Sequence, residues 1–239
     1  MSAALILVDV QYDFLPPSGA LAVATGDAIL LPVYRVLEEG KWGLVVASQD
    51  YHPTGHISFA SRHGLSPFSS TQVSLPASRG GATMQQELWP DHCVQGTRGC
   101  ELEEGVQRRL DEMKSRGGKV ETVQKGGDLD LDAYSAFAIP LSAANQEESP
   151  LTRSLLDANL DTLVICGLAT DFCVRATVLA ALQAAEQARA GWRVLVVKEA
   201  IKGVFPEKEE EVLKEMEVKG AEIVSIDGEE LRPFWRSHV

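Results

Sequence analysis

Three side chains in this sequence, Asp9, Lys125 and Cys173, have the chemistry for acyl transfer, and each sits where an apolar run gives out. Asp9 lies near the end of Ala3 to Val10 (AALILVDV), Lys125 follows Lys119 to Val123 (KVETV), and Cys173 comes just after TLVICGLATDF. A thiolate attacks a carbonyl far better than a thiol. A nearby ammonium and a helix N-terminus both favour the thiolate, so Lys125 and the helix that starts around Cys173 are expected to lower its pKa. Asp9 can then take the thiol proton and hand it to a leaving amine, while backbone N–H groups of the Gly167 to Cys173 elbow receive an oxyanion. Each residue also has an ordinary role open to it: Cys173 as a small buried hydrophobe, Asp9 as a turn cap, Lys125 as a solvated lysine.

A second chemistry stands beside the first. Asp50 and His52 are two apart in an extended segment, so their side chains point the same way, and His56 and His92 are candidate third ligands. One carboxylate and two imidazoles with open positions suit zinc or iron, with manganese as a further choice. A capping Asp and a surface His account for Asp-x-His about as well.

Both chemistries need residues distant in sequence to meet, and the order of elements supplies the means. Ala3 to Val10, Gly43 to Ser48, Lys119 to Val123, Leu163 to Ile165, Trp192 to Val197 and Ala221 to Ile226 read as strands, several of them apolar enough to be covered on both faces. Helical patterns lie between them at Asp27 to Glu39, Leu151 to Asn159, the segment after Cys173, and Pro206 to Lys219. This alternation implies an α/β fold with a mostly parallel sheet, helices on both faces and right-handed crossovers. In such a sheet all carboxyl ends share one edge, and ligands bind where the strand order reverses. A single domain over residues 1–239 is expected, broken by a long irregular excursion from Tyr51 to about Gly118. Within it, Ser58 to Gly81 reads as a mobile stretch and Trp89 to Cys93 as a packed turn. Ala133 to Ile139 reads as a helical turn.

Other function classes drop out. A net charge of −12 argues against a nucleic-acid or anionic-membrane surface. The first strand-to-helix connection, VDVQYDF, has no glycines, so neither a dinucleotide fingerprint nor a Walker loop is present and no nucleotide cofactor is expected. Four cysteines without zinc-finger spacing read as reduced thiols. Met1 to Val10 runs into a strand and lacks a basic leader region, which points to the cytoplasm or nucleus.

Five ordered blocks carry a more specific signal: LVDVQYDF, SQDYHPTGHISFA, LWPDHCVQGT, VQKGGD with DAYSAF, and VICGLATDFCVRATVLAA. In these the chain resembles the nicotinamidases of the isochorismatase-like cysteine hydrolase superfamily, over nearly its whole length. The resemblance implies a six-stranded, largely parallel sheet of Rossmann-like order. It implies hydrolysis of nicotinamide to nicotinate and ammonia through a Cys thioester, within NAD salvage, with pyrazinamide usually accepted too. Carried onto this chain, it makes Cys173 the nucleophile, Asp9 the acid/base and Lys125 the third catalytic residue. It assigns Asp50, His52 and His92 to a divalent metal, most often zinc, that binds the pyridine nitrogen, with His56 the weaker ligand. It also implies a cis Leu168-Ala169 peptide, an oxyanion hole from the Ala169 and Cys173 N–H groups, and a ring pocket lined by Phe14, Trp89 and Tyr134. The implied partner is the small-molecule substrate alone, and a homo-oligomer is compatible with the sequence. Three departures stand out: Phe172 where many relatives have Tyr, DAYSAF for the commoner DSYSAF, and a Ser58 to Met84 segment that is longer and more Ser-rich.

Overall fold

A computed structural model describes residues 2–143 and 148–236. Six strands form one sheet: β1 (Ala3–Val8), β2 (Trp42–Asp50), β5 (Val120–Lys125), β6 (Thr162–Leu168), β7 (Arg193–Lys202) and β8 (Glu222–Val224). Their order is β5-β2-β1-β6-β7-β8, and all five pairings are parallel. Every residue of β1 and β6 is buried, as the unbroken apolar runs require of strands covered on both sides. From β1 the chain steps outward through β2 to β5, then returns to β6 on the other side of β1 and steps outward through β7 to β8. Right-handed crossovers in opposite directions put the connecting helices on opposite faces. Helix α1 (Leu30–Glu39) packs on α3 (Glu104–Ser115), and α5 (Arg175–Gln187) packs on α6 (Glu209–Val218). Strand order therefore reverses between β1 and β6, so the ligand crevice belongs at their carboxyl ends.

Where boundaries differ from expectation, local chemistry gives the reason. The helix expected from Asp27 is α-helical only from Leu30, after a 3-10 turn over Gly26–Ile29; Pro32, with no N–H to donate, fits only within the first turn. Strand β7 runs on past Val197 to Lys202. The helical turn expected at Ala133 to Ile139 is a single turn, closed by Ala138 N–H donating to Ser135 O at 3.0 Å. The excursion from Tyr51 is more ordered than its composition suggests. It holds a short helix α2 (Ala60–His63), an antiparallel hairpin of β3 (Ser69–Ser74) and β4 (Thr83–Leu88), and then α3. The hairpin strands are built largely of Ser, Thr and Gln and are mostly exposed, so they carry no hydrophobic period to read. Among the described residues no helix is long and apolar enough to cross a membrane.

Candidate active site

The crevice at the β1/β6 switch is built from the ends of four strands. Asp9 is the first residue past β1, with a left-handed backbone (φ 49°) and a fully buried side chain. Its N–H donates to Ser48 O at 3.2 Å, and Ser48 Oγ donates to its Oδ1 at 2.7 Å. Asp50 and Lys125 are the last partners of the β2–β5 ladder. From there the Lys125 ammonium, also buried, reaches four acceptors. It pairs with Asp50 Oδ1, lies 2.8 Å from Asp9 Oδ2, and donates to Ala133 O and Cys173 Sγ at 3.3 Å each.

Cys173 sits in a π-helical turn, Thr170–Val174, that leads from β6 into α5. The Leu168–Ala169 peptide is cis. Ala169 O accepts from the N–H groups of Phe172 and Val174, both at 3.1 Å, folding the elbow back on itself. Gly167 is needed just before it: φ is 126°, and a Cβ there would lie 2.0 Å from Val8 O.

The electrostatics separate the two carboxylates. Burial raises the Asp9 pKa, with Lys125 opposing and Asp50 reinforcing the rise. Burial also acts to raise Asp50, but Lys125 and His52 outweigh it and hold Asp50 well below the usual carboxylate range. Lys125 stays charged: burial works against the ammonium, but Asp50, Asp9 and Cys173 hold its pKa well above the ordinary value. The thiol departs from the sequence expectation. Burial pushes Cys173 up, the Asp9 and Asp50 carboxylates add to the rise, and Lys125 opposes without prevailing. The physical reason is the cluster's charge. Two carboxylates already outnumber one ammonium, so a resting thiolate would add a second uncompensated negative charge away from water.

Next to this cluster, Asp50, His52 and His92 bring ligand atoms within 4.8 Å of one another, and all three side chains are buried. His52 Nδ1 lies 2.9 Å from Gly126 O, and His92 Nδ1 lies 2.8 Å from Pro90 O. A carbonyl only accepts, so in each neutral ring Nδ1 carries the hydrogen and Nε2 offers its lone pair. The two Nε2 atoms lie 3.7 and 3.8 Å from Asp50 Oδ2. This donor set fits a divalent metal. Gly126 has φ 64°, and a Cβ there would lie 2.4 Å from His52 Cε1, so the residue type is part of the site. His56 stacks on His52 at 4.1 Å, yet both its nitrogens have partners: Ser58 Oγ at 2.8 Å and Leu131 O at 3.3 Å. Burial and His52 lower its pKa to about 4. It lies outside the Asp50, His52 and His92 set, and with His52 and Asp132 it forms a second group whose ligand atoms lie within 4.8 Å of one another.

A slot opens onto both clusters, lined by Phe14, Trp89 and Tyr134 together with Phe172, Ala169 and Cys173. Trp89 meets Phe172 edge-on at 4.8 Å, and Trp89 Nε1 donates to Tyr134 Oη at 3.1 Å. Every site residue singled out from the sequence thus lies in one place. Besides Asp132, which also lines the slot, three supporting residues were not singled out. Phe172, noted only as a departure, forms part of the wall. Gln11 is fully buried: its Nε2 donates to Asp50 O and Cys100 O at 2.8 Å each, and Asp50 N–H donates back to its Oε1 at 2.8 Å. Asp13 Oδ2 accepts from Cys93 N–H at 2.7 Å, fixing the turn that carries His92. Both polar residues lie in LVDVQYDF, and Gln11, two residues beyond Asp9, was readable there as a second polar group at the strand end.

Residues 129–228 match the isochorismatase domain family, the class of α/β protein that this sheet and its edge cleft define. The nicotinamidase of Escherichia coli (strain K12) is 35% identical over 93% of this chain and 94% of its own length. The yeast nicotinamidase bound to the inhibitor nicotinaldehyde superposes with a TM-score of 0.79 at 28% identity, covering 93% of this chain and 99% of that one. The pyrazinamidase of Pyrococcus horikoshii in complex with zinc gives a TM-score of 0.65 at 34% identity, covering 94% and 99%. The chain belongs to the nicotinamidase family of isochorismatase-like hydrolases.

Proposed function

We propose that this chain is an amidohydrolase that converts nicotinamide to nicotinate and ammonia, and that it also deamidates pyrazinamide. The observation that carries this reading is one ammonium, Lys125 Nζ, lying 3.3 Å from Cys173 Sγ and 2.8 Å from Asp9 Oδ2, with Cys173 itself lining an aromatic slot. Asp9 Oδ2 is buried, with the Lys125 ammonium 2.8 Å away as its ion-pair partner, and it is the oxygen proposed to take the proton. As Cys173 Sγ attacks the amide carbon, its proton passes to Asp9. The oxyanion is received by the Ala169 and Cys173 N–H groups. Asp9 then gives the proton to the amide nitrogen, the C–N bond breaks, ammonia leaves, and a thioester remains. Water adds to the thioester with Asp9 again as base, releasing the carboxylate and restoring the thiol. The raised pKa of Asp9 suits a group that must both accept and give a proton, while Asp50 remains a carboxylate throughout. Lys125 holds both carboxylates in place and offsets the negative charge that moves between Cys173 and Asp9.

Asp50, His52 and His92 would hold a divalent metal, with zinc favoured by the zinc-bound pyrazinamidase among the structural relatives. Such an ion supplies a Lewis-acid site for the ring nitrogen, which orients the carboxamide toward Cys173. Phe14, Trp89 and Tyr134 then grip the ring faces and edges. A role in NAD salvage follows from this substrate, and a cytoplasmic location is part of the same proposal. Four buried, free thiols support a reducing compartment. The deciding experiment is ammonia release from nicotinamide by the unaltered protein and by Cys173→Ala. Turnover by the first and its loss in the second is expected; full turnover by Cys173→Ala would overturn the assignment.

A further inference from the structure

Strand β4 of the hairpin is exposed from Thr83 to Gln85 and at Glu87 and buried at Gln86 and Leu88, so its last residues turn an amide and a leucine inward. Gln86 is 3% exposed, and its Nε2 donates to Asp132 Oδ2 and to Glu87 O, at 2.8 and 2.9 Å. A buried amide is tolerated only where it finds acceptors, so the hairpin seats where Asp132 receives it.

Asp132 begins a short segment that reaches the site in several ways. The Asp132 side chain lines the slot, Ala133 O accepts from Lys125, and Tyr134 forms wall and bonds Trp89. Residues 132–134 belong to no helix or strand, so side-chain bonds must hold them. One Asp132 oxygen is tied to the adjacent Ala133 N–H at 2.8 Å, which anchors the carboxylate only to its own segment. The other oxygen takes the Gln86 bond, which ties that segment to the hairpin. We infer that Gln86 is a positioning residue: through Asp132 it fixes the slot wall formed by residues 132–134, and so the β3–β4 hairpin sets which rings the slot admits. This rests on the amidase reading given above.

The discriminating variant is Gln86→Leu, which keeps the side chain's bulk and removes the donor. Two measurements on the full chain supplied with zinc test it. The first is kcat/KM for ammonia release from nicotinamide relative to 5-methylnicotinamide, a ratio that a loss of folded protein leaves untouched. It is expected to fall about fivefold, mainly through a rise in KM for nicotinamide. The second is amide hydrogen exchange over residues 128–136, which is expected to quicken while β1 and β6 remain protected. Should Gln86→Leu fail to fold, Gln86→Glu, which sets a second carboxylate against Asp132, is read in the same way. An unchanged ratio in a folded variant overturns the proposal, even if exchange quickens, because Gln86 is then merely structural. Unchanged exchange overturns it as well. If the unaltered protein releases ammonia from neither amide, the amidase reading fails, and hydrogen exchange still decides whether Gln86 holds the segment.

Discussion

Asp50 and Lys125 stand opposite each other as the terminal pair of the β2–β5 ladder, and the Lys125 ammonium bonds Asp50 Oδ1 across it. Parallel pairing thus places the carboxylate of the proposed metal set and the thiol's cationic neighbour side by side. Asp50 faces the ammonium with one oxygen and the His52 and His92 nitrogens with the other. The two halves of the site share this residue.

Removing the cation should therefore be felt in stability as well as rate. Lys125→Met leaves Asp9 and Asp50 buried without their counter-charge, and the expected cost at neutral pH is about 3–5 kcal/mol. Lone carboxylates recover by taking up protons, so the melting temperature of this variant should approach that of the unaltered protein as pH falls toward 5. Thermal melts at several pH values check this, and a pH-independent deficit would count against it.

Asp9→Asn keeps the side chain's shape and removes the proposed proton shuttle. Ammonia release should fall roughly 10²- to 10⁴-fold, with KM little changed. Steady-state kinetics on nicotinamide decide the point; a loss confined to KM would mean that Asp9 serves binding instead.

Chelation should abolish turnover, and added zinc should restore it. His52→Asn and His92→Asn should each lower metal content measured on the purified protein, because each removes one of the two proposed Nε2 ligands. His56→Asn should retain metal, since both His56 nitrogens are engaged elsewhere. Loss of metal in the His56 variant would move that residue into the ligand set.

Phe172→Ala should raise KM for nicotinamide about threefold to tenfold by deleting an edge-on contact with Trp89 and opening the slot. Phe172→Tyr, which keeps the ring, should leave KM close to that of the unaltered protein. Equal KM in all three proteins would remove Phe172 from the wall.

At alkaline pH the buried thiols should limit stability. Burial pushes Cys166 up to about 12 from 9.0, so between those values an unfolded chain releases a proton that the native chain retains. Stability from this group is full below pH 9 and falls as pH rises toward 12, by about 1.4 kcal/mol per pH unit. Cys166→Ala should show a correspondingly shallower fall in unfolding free energy between pH 9 and 11, measured by urea titration. Parallel slopes for the two proteins would refute the assignment.

Much of the site was legible because it lies at strand ends. Apolar runs such as ALILV and LVIC identify buried parallel strands, and the residue after each run falls on a common edge whatever the helices between do. The hairpin was not legible, since strands of Ser, Thr and Gln bury too little to show a period. Nor was the role of Gln86, whose acceptor lies 46 residues away.

By itself the sequence determined the sheet, the edge on which Asp9, Asp50, Lys125 and Cys173 gather, and the donor types available to a metal. These follow from local patterns of burial and side-chain chemistry. Tertiary structure alone decided the direction in which each ionisable group of the cluster is shifted. Whether Cys173 rests as thiol or thiolate depends on summed fields from Asp9, Asp50 and Lys125 in a space without water, and those fields depend on distances that no local pattern encodes. The same holds for the imidazoles. Which nitrogen of His52 and His92 is free was set by the Gly126 and Pro90 carbonyls behind them, and only the folded chain brings Gly126 O to His52.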